Sequence, residues 1–382
     1  MTIRNVIILG FVARLCIAVW NGFWGPSFGA DMDAQGFHSL AVGVVDSGQY
    51  LDFAIGEAAY SNFLGFFYIL TFESLFLGSL LSCVIWSISA IFFAKCLRIL
   101  SLSPGAQVIP MILYAFLPSS VMFTSVTLRE AYQLLFVNIS VYSVLKIYLH
   151  RSPAYWLSLL ISAVGMGLLH GGLFAFGVFL VVATVTLLVL RGHLGLSLIK
   201  MTVAVPLVAA IVLYGFSAFT SMSYNLDEGL ATGVLVYQEG GMGINARAQY
   251  KVETNIEDFS TFLRSIPVSL FQYLFEPMPW KVTSYVDLPV LFENIFRVWL
   301  VRKAYVGLRR MPRLNRRPVI FIVIAYLMLE TIWSLGTVNW GTAVRHHLPS
   351  LGLLLIAAFA YSEKSTTKPP PPLKVSSPLP AA

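Results

Sequence analysis

LFLGSLLSCVIWSISAIFFA, residues 75–94, runs for twenty residues without a charge, about the length an α-helix needs to cross the hydrocarbon core of a bilayer. Similar runs recur on both sides of it. Ten apolar segments emerge in all: 5–20, 75–94, 108–122, 131–149, 155–169, 173–190, 201–219, 288–307, 319–335 and 348–361. Over 382 residues, 57% are hydrophobic and only 11% charged, with a mean hydropathy of +0.77. A soluble domain carries roughly 25% charged residues. The pattern predicts an all-α, polytopic transmembrane bundle of about ten spans.

Orientation follows from Lys and Arg, which concentrate in cytoplasmic loops. With the N-terminus inside, the cytoplasmic segments hold seventeen of the 25 basic residues, among them Lys95, Arg98, Lys146, Arg151 and the run from Arg302 to Arg317. The other side holds six, and Arg14 and Arg297 fall within spans. Both termini are therefore expected in the cytoplasm. The acids provide an independent check: of 18 Asp and Glu, only Glu363 falls on the cytoplasmic side. The net charge of +7 is read as this topology and not as a nucleic-acid footprint. Cys16, Cys83 and Cys96 lie in or beside spans and imply no disulfide framework. Arg14 interrupts the first run and no convincing cleavage site follows, which favours a retained helix over a signal peptide.

Residues 1–361 form one transmembrane domain with two long external loops, 21–74 and 220–287. The first loop contains no Lys or Arg; Phe37, Leu40, Ala41 and Val44 repeat there at helical spacing, predicting a helix lying on the membrane surface. Residues 62–70 are apolar but too short to span, hence re-entrant or interfacial. In the second loop, Thr254 and Glu257 match a capping box before the stripe Phe259, Phe262, Leu263, Ile266, Leu270, Phe271 and Leu274. This predicts an amphipathic interfacial helix, kinked at Pro267 and stopped by the prolines before Trp280. No internal repeat is visible. Residues 362–382 read as a disordered, proline-rich cytoplasmic tail.

Three polar constellations fall on the external side. The first is Asp31-Met32-Asp33, followed by Phe37 and His38. It is either a solvated acidic face or a working pair, which would bind a divalent cation such as Mg or Mn, or supply a general base. The second is Arg129-Glu130, after Pro118-Ser119-Ser120. It is a helix-start charge pair or, with an Arg held outside against the charge bias, a substrate site that meets a lipid phosphate. The third is Asn339-Trp-Gly-Thr-Ala-Val-Arg345-His346-His347. A basic cluster here offers phosphate donors; adjacent histidines cannot share one helix face, so at most one is expected to act with Arg345. Within the eighth span Glu293 and Arg297 stand four apart and are expected to neutralise each other. Arg14, Glu73 and Glu330 have no evident partner in the sequence.

GADMDAQGFH in the first external loop, the Pro-Ser-Ser to Leu-Arg-Glu segment and the late external loop together resemble a family: the C-type (GT-C) polyprenyl-phosphate-sugar-dependent membrane glycosyltransferases, which include protein O-mannosyltransferases and aminoarabinose transferases. WGTAVRHHLP and FEPMPW are also similar to segments of membrane proteins from bacterial exopolysaccharide clusters. The resemblance spans the general plan of the whole chain. It implies a lipid-phosphate donor, inverting transfer on the external face of a bacterial inner membrane, and a catalytic carboxylate at Asp31 or Asp33. The acceptor would be a cell-surface polysaccharide or glycolipid. The D-x-D spacing departs from the family's paired acidic motif, and the large soluble C-terminal domain of some branches is absent. A polysaccharide polymerase would use similar residues. A transporter or flippase would show repeats and a charged midplane path.

Overall fold

The computed structural model describes residues 1–25, 30–48, 56–100, 102–190, 248–250 and 259–361. Among them the chain is helical, with one isolated bridge between Gln249 and Asn339. The helices are α1 (Ile3–Phe23), α2 (Asp31–Ser47), α3 (Glu57–Leu70), α4 (Leu75–Ile99), α5 (Pro104–Phe116), α6 (Pro118–Phe123) and α7 (Glu130–His150). They continue as α8 (Tyr155–Leu169), α9 (Gly171–Leu190), α10 (Phe259–Phe275), α11 (Asp287–Arg310), α12 (Arg313–Gly336), α13 (Trp340–His346) and α14 (Leu348–Phe359). Nine of the ten apolar runs coincide with these helices; the seventh, 201–219, lies outside the described residues, as do the capping box at 254–257 and the tail.

Among the described residues five helices are long and apolar enough to cross a membrane: α1, α4, α7, α9 and α12. The chain is a helical membrane protein. The remaining runs are shorter, at 13 residues in α5, 15 in α8 and 12 in α14, or carry charges, as α11 does.

The third run is a broken helix. Leu117 adopts an extended conformation and Pro118 starts α6, because the residue before proline is driven out of the helical region. The break leaves helix-end carbonyls to be satisfied. Arg14 on α1 meets that need, donating to the Ala115 carbonyl (2.8 Å), the Gly10 carbonyl (3.0 Å), Thr124 Oγ1 (2.7 Å) and Ser120 Oγ (2.9 Å). Its guanidinium lies 3.5 Å from the Trp86 ring centroid. A buried intramembrane arginine is thus held by hydrogen bonds and a π face without a carboxylate.

The core centres on α7 and α14. Every residue of α14 is buried, as expected for a helix apolar on all sides; it packs against α5, α7, α11 and α12. Ser143 and Ser140 of α7 hydrogen-bond Ser158 and Ser162 of α8. Asn138 of α7 reaches Ser89 Oγ (2.9 Å) and the Tyr114 hydroxyl (2.7 Å), tying α4 and α5 to the same seam.

Between α1 and α4 the chain forms the packed helix pair α2 and α3. Ala34, Phe37 and Ala41 are buried, with Leu64 and Tyr68 of α3 packed beside Ala41. Leu40, expected on the apolar stripe, is instead 51% exposed: a helix presents its residues every 100°, and α3 covers only the sector of Phe37 and Ala41. In α10, Pro267 lies inside the helix; Ser269 and Tyr273 are buried while Leu263 and Phe271 are exposed, leaving an apolar face free for lipid. The helix ends at Phe275, before Glu276-Pro277, and Trp280 is exposed. The expected Glu293–Arg297 pair is replaced by separate partners. Glu293 Oε1 accepts from the Ser119 backbone N–H (2.8 Å), at the start of α6, and Arg297 donates to Asn294 Oδ1 (2.7 Å).

Candidate functional site

Four local devices bring residues far apart in sequence to one end of the bundle. Helix α7 begins at Glu130 because the preceding segment, Thr124 to Arg129, is pinned to α4: Thr127 Oγ1 donates to the Leu75 carbonyl (2.9 Å). Gly78 admits this approach, since a Cβ there would stand 2.7 Å from the Thr127 side chain. Helix α3 is placed by Gly56, whose φ of 70° suits glycine and whose N–H donates to the Leu168 carbonyl of α8 (2.8 Å). Helix α13 is anchored at its start. Asn339 Oδ1 accepts from Thr342 N–H (2.7 Å) as an N-cap, and Trp340 Nε1 donates to Asp287 Oδ1 (3.0 Å). The short segment 248–250 pairs with the turn that precedes α13, through Tyr250 N–H to Val338 O (3.0 Å) and Trp340 N–H to Ala248 O (3.1 Å).

Arg345 is the hub. Its Nε and Nη2 both address Glu130 Oε1, at 2.7 and 2.6 Å, while Nη1 pairs with Asp33 Oδ2. These three residues come from α13, α7 and α2. Glu130 is almost wholly buried, whereas the Asp33 side chain is 54% exposed and that of Arg345 13%. Burial works against the Arg345 charge, but the adjoining Glu130 and Asp33 carboxylates outweigh it and hold the guanidinium more firmly protonated than usual. The fork of a guanidinium suits this: two donors fix one carboxylate and the third direction stays available.

Arg129 lies next to the hub without entering it. It donates to the Leu169 carbonyl (3.1 Å), stands 3.8 Å from Glu57 and sits 5.7 Å from the Phe37 ring centroid. His346 turns the other way, stacking on Trp333 at 3.9 Å, with His170 close by at 6.1 Å. Thr337 gives its hydroxyl proton to the Trp333 carbonyl (2.8 Å), so the 2.8 Å contact between Thr337 Oγ1 and His346 Nδ1 assigns that nitrogen as the donor. Burial, then the neighbouring His170 and Arg345, push the His346 pKa well below its usual value, so it is a neutral ring. His38 pairs with the Tyr68 hydroxyl through Nδ1 (2.7 Å), away from Arg345, and burial lowers its pKa. Asp31 opens α2; its side chain lies outside what the structure describes.

Among the described residues no group of three or more His, Cys, Asp and Glu side chains converges as a metal site requires. Asp33, the described member of the acidic pair, already faces a guanidinium. Among the described side chains the donor set at Asp33 does not fit a divalent cation.

A cluster the sequence leaves unread lies between α12 and α14. His347 Nδ1 is 2.6 Å from Glu330 Oε2, and Ser350 Oγ donates to Glu330 Oε1. The signal was one acid in an otherwise apolar span, which marks a candidate by default but not its partner. Comparison with protein-family models, curated proteins and solved structures returned no match.

Proposed function

We propose that this chain is a membrane glycosyltransferase that moves a sugar from a polyprenyl-phosphate donor to a cell-surface polysaccharide or glycolipid acceptor. In this reading both termini are cytoplasmic and transfer takes place on the external, periplasmic face of a bacterial inner membrane. One observation carries it. Asp33, Glu130 and Arg345, singled out from three separate loops, meet in a single ionic cluster, at the end of the bundle opposite the basic turn between α11 and α12.

The roles follow from what each group can still do. Glu130 neutralises and orients Arg345, fixing Nε and Nη2. The donor phosphate takes the place of Asp33 on Nη1, in a charge-assisted contact of the kind a guanidinium makes well. Released from Arg345, the Asp33 carboxylate accepts the proton of the acceptor hydroxyl. The acceptor oxygen forms its bond to the anomeric carbon as the bond from that carbon to the phosphate oxygen breaks, with inversion. The electron pair leaves on the lipid phosphate, whose charge Arg345 stabilises. Asp31, two residues away at the start of the same helix, is the second candidate for the base.

The test is to incubate the purified protein with a panel of polyprenyl-phosphate sugars and candidate acceptors, and to measure release of lipid phosphate. Release with at least one donor is expected. No release with any donor, together with movement of a lipid-linked sugar across liposome membranes, would replace this reading with a transporter.

A further inference from the structure

Glu130 gives Arg345 only one of its oxygens. Its Oε2 is buried without a hydrogen-bond partner, and so are the hydroxyls of Tyr60 and Tyr132. The three residues are 3%, 1% and 6% exposed. Ser82 lies near the Tyr60 hydroxyl but directs its own proton to the carbonyls of Gly78 (3.2 Å) and Leu128 (3.4 Å). The rings of Tyr60 and Tyr132 meet edge to face at 5.4 Å, with Phe37 5.0 Å from Tyr60 and Phe63 5.4 Å from Tyr132. Folded proteins leave few buried polar atoms unpaired. Here a carboxylate oxygen and two phenols are gathered inside one aromatic cluster, on the residue that also holds Arg345.

We propose that Glu130 Oε2, Tyr60 and Tyr132 form a subsite for a neutral polyhydroxylated ring, the sugar carried by the lipid phosphate. The inference deepens the glycosyltransferase reading and rests on it. Each part has a chemical match. An ionised carboxylate oxygen only accepts, so it calls for a ligand hydroxyl; a phenol both donates and accepts. Phe63, exposed beside Tyr132, offers an apolar face to the C–H side of a sugar ring, in the mixed apolar and polar manner of small-molecule sites. A second phosphate would meet the Glu130 oxygen acceptor to acceptor, and an apolar ligand would leave all three atoms unpaired. The subsite is also at the right place along the ligand. A phosphate on Arg345 brings the sugar bonded to it beside the free oxygen of the same Glu130.

Tyr132→Phe is the cleaner test, because among the described residues its hydroxyl has no hydrogen-bond partner, and Tyr60→Phe, whose hydroxyl has Ser82 near by, is the second. The full-length protein in lipid nanodiscs is titrated with bare polyprenyl phosphate and with polyprenyl phosphate carrying glucose, mannose or galactose. The wild type should bind at least one glycosylated form about tenfold more tightly than the bare lipid. Each Phe variant should lose about tenfold for that form and nothing for the bare lipid, with ligand-free thermal stability unchanged or raised. Variants that bind both lipids as the wild type does, or weaken both alike, overturn the subsite, as does a fall in ligand-free stability. A wild type that binds bare and glycosylated lipids equally overturns the subsite while leaving the phosphate role of Arg345 intact. Failure of the wild type to bind any of these lipids removes the glycosyltransferase reading and the subsite together.

Discussion

Replacing Arg345 with Met leaves Glu130 buried with no partner for its Oε1, since both short contacts to that oxygen come from the one guanidinium. Removing one member of a buried ion pair costs about 3–5 kcal/mol, because the remaining charge is desolvated and uncompensated. Glu130→Met should cost a similar amount, somewhat relieved by the half-exposed Asp33 that still faces Arg345. The double variant removes both charges and puts apolar volume in their place, a change that is often neutral or stabilising. Its stability should lie within about 1 kcal/mol of the wild type, giving a coupling energy of at least about 3 kcal/mol, or roughly a hundredfold in the folded-to-unfolded ratio. Asp33→Asn provides the contrast: an ion pair with one half-exposed member contributes no more than about 1 kcal/mol. Equilibrium unfolding in mixed micelles, followed by tryptophan fluorescence, measures all four. Additive single variants, with the double variant the least stable, would refute the account of Arg345 and Glu130 as a mutually dependent buried pair.

Asp33→Asn or Asp31→Asn should leave insertion intact and lower transfer at saturating donor by about a hundredfold or more, since Asn cannot take a proton at neutral pH; near-normal turnover in both and in the double variant removes the carboxylates from the chemistry. His346 makes stability depend on pH. Its folded pKa lies below the unfolded value near 6.5, so its neutral form stabilises fully above about pH 6.5, and that contribution is lost as pH falls below it. Thermal unfolding from pH 8 to 5 should be level and then decline, and His346→Phe, which keeps a ring on Trp333, should lessen the decline; an unchanged profile in that variant would assign the loss to other groups. For orientation, with Cys16, Cys83 and Cys96 replaced, a cysteine at Asp46 should react with an impermeant reagent applied outside intact cells, and one at Arg310 should not. The reverse pattern would turn the bundle over and remove the external site.

Helices were legible where a single physical signal dominates. Apolar runs of span length at 75–94 and 131–149 became α4 and α7 because apolar burial outweighs their few polar groups, which find hydrogen-bond partners. Phe37 and Ala41 were readable from spacing as part of an apolar stripe expected to lie on the membrane; that the stripe packs against α3 was not, and Leu40 shows that spacing does not reveal how wide a sector the neighbour covers. Arg345 stood out in the sequence as one of the few basic residues outside the segments expected to be cytoplasmic. Its partners were not legible: pairing with Asp33 and Glu130 depends on how α2, α7 and α13 meet, which no local pattern encodes. The same limit explains Arg14, whose partners are mostly carbonyls and hydroxyls at a helix break, and Glu293, whose partner is a backbone N–H at the start of α6. Charge spacing anticipates ion pairs and has no means of anticipating these.

Helix α14, buried on every side, has a consequence for the order in which the molecule is made. Twelve residues of helix extend about 18 Å, too little to cross a bilayer unaided, so α14 can settle only into a groove its neighbours have already formed. Those neighbours, α5, α7, α11 and α12, all precede it along the chain. Arg345 stands just before α14, so the docking of α14 brings the guanidinium to Glu130. A chain in which this docking has not occurred would hold an unneutralised Glu130, so the ionic cluster depends on α13 and α14 being in place.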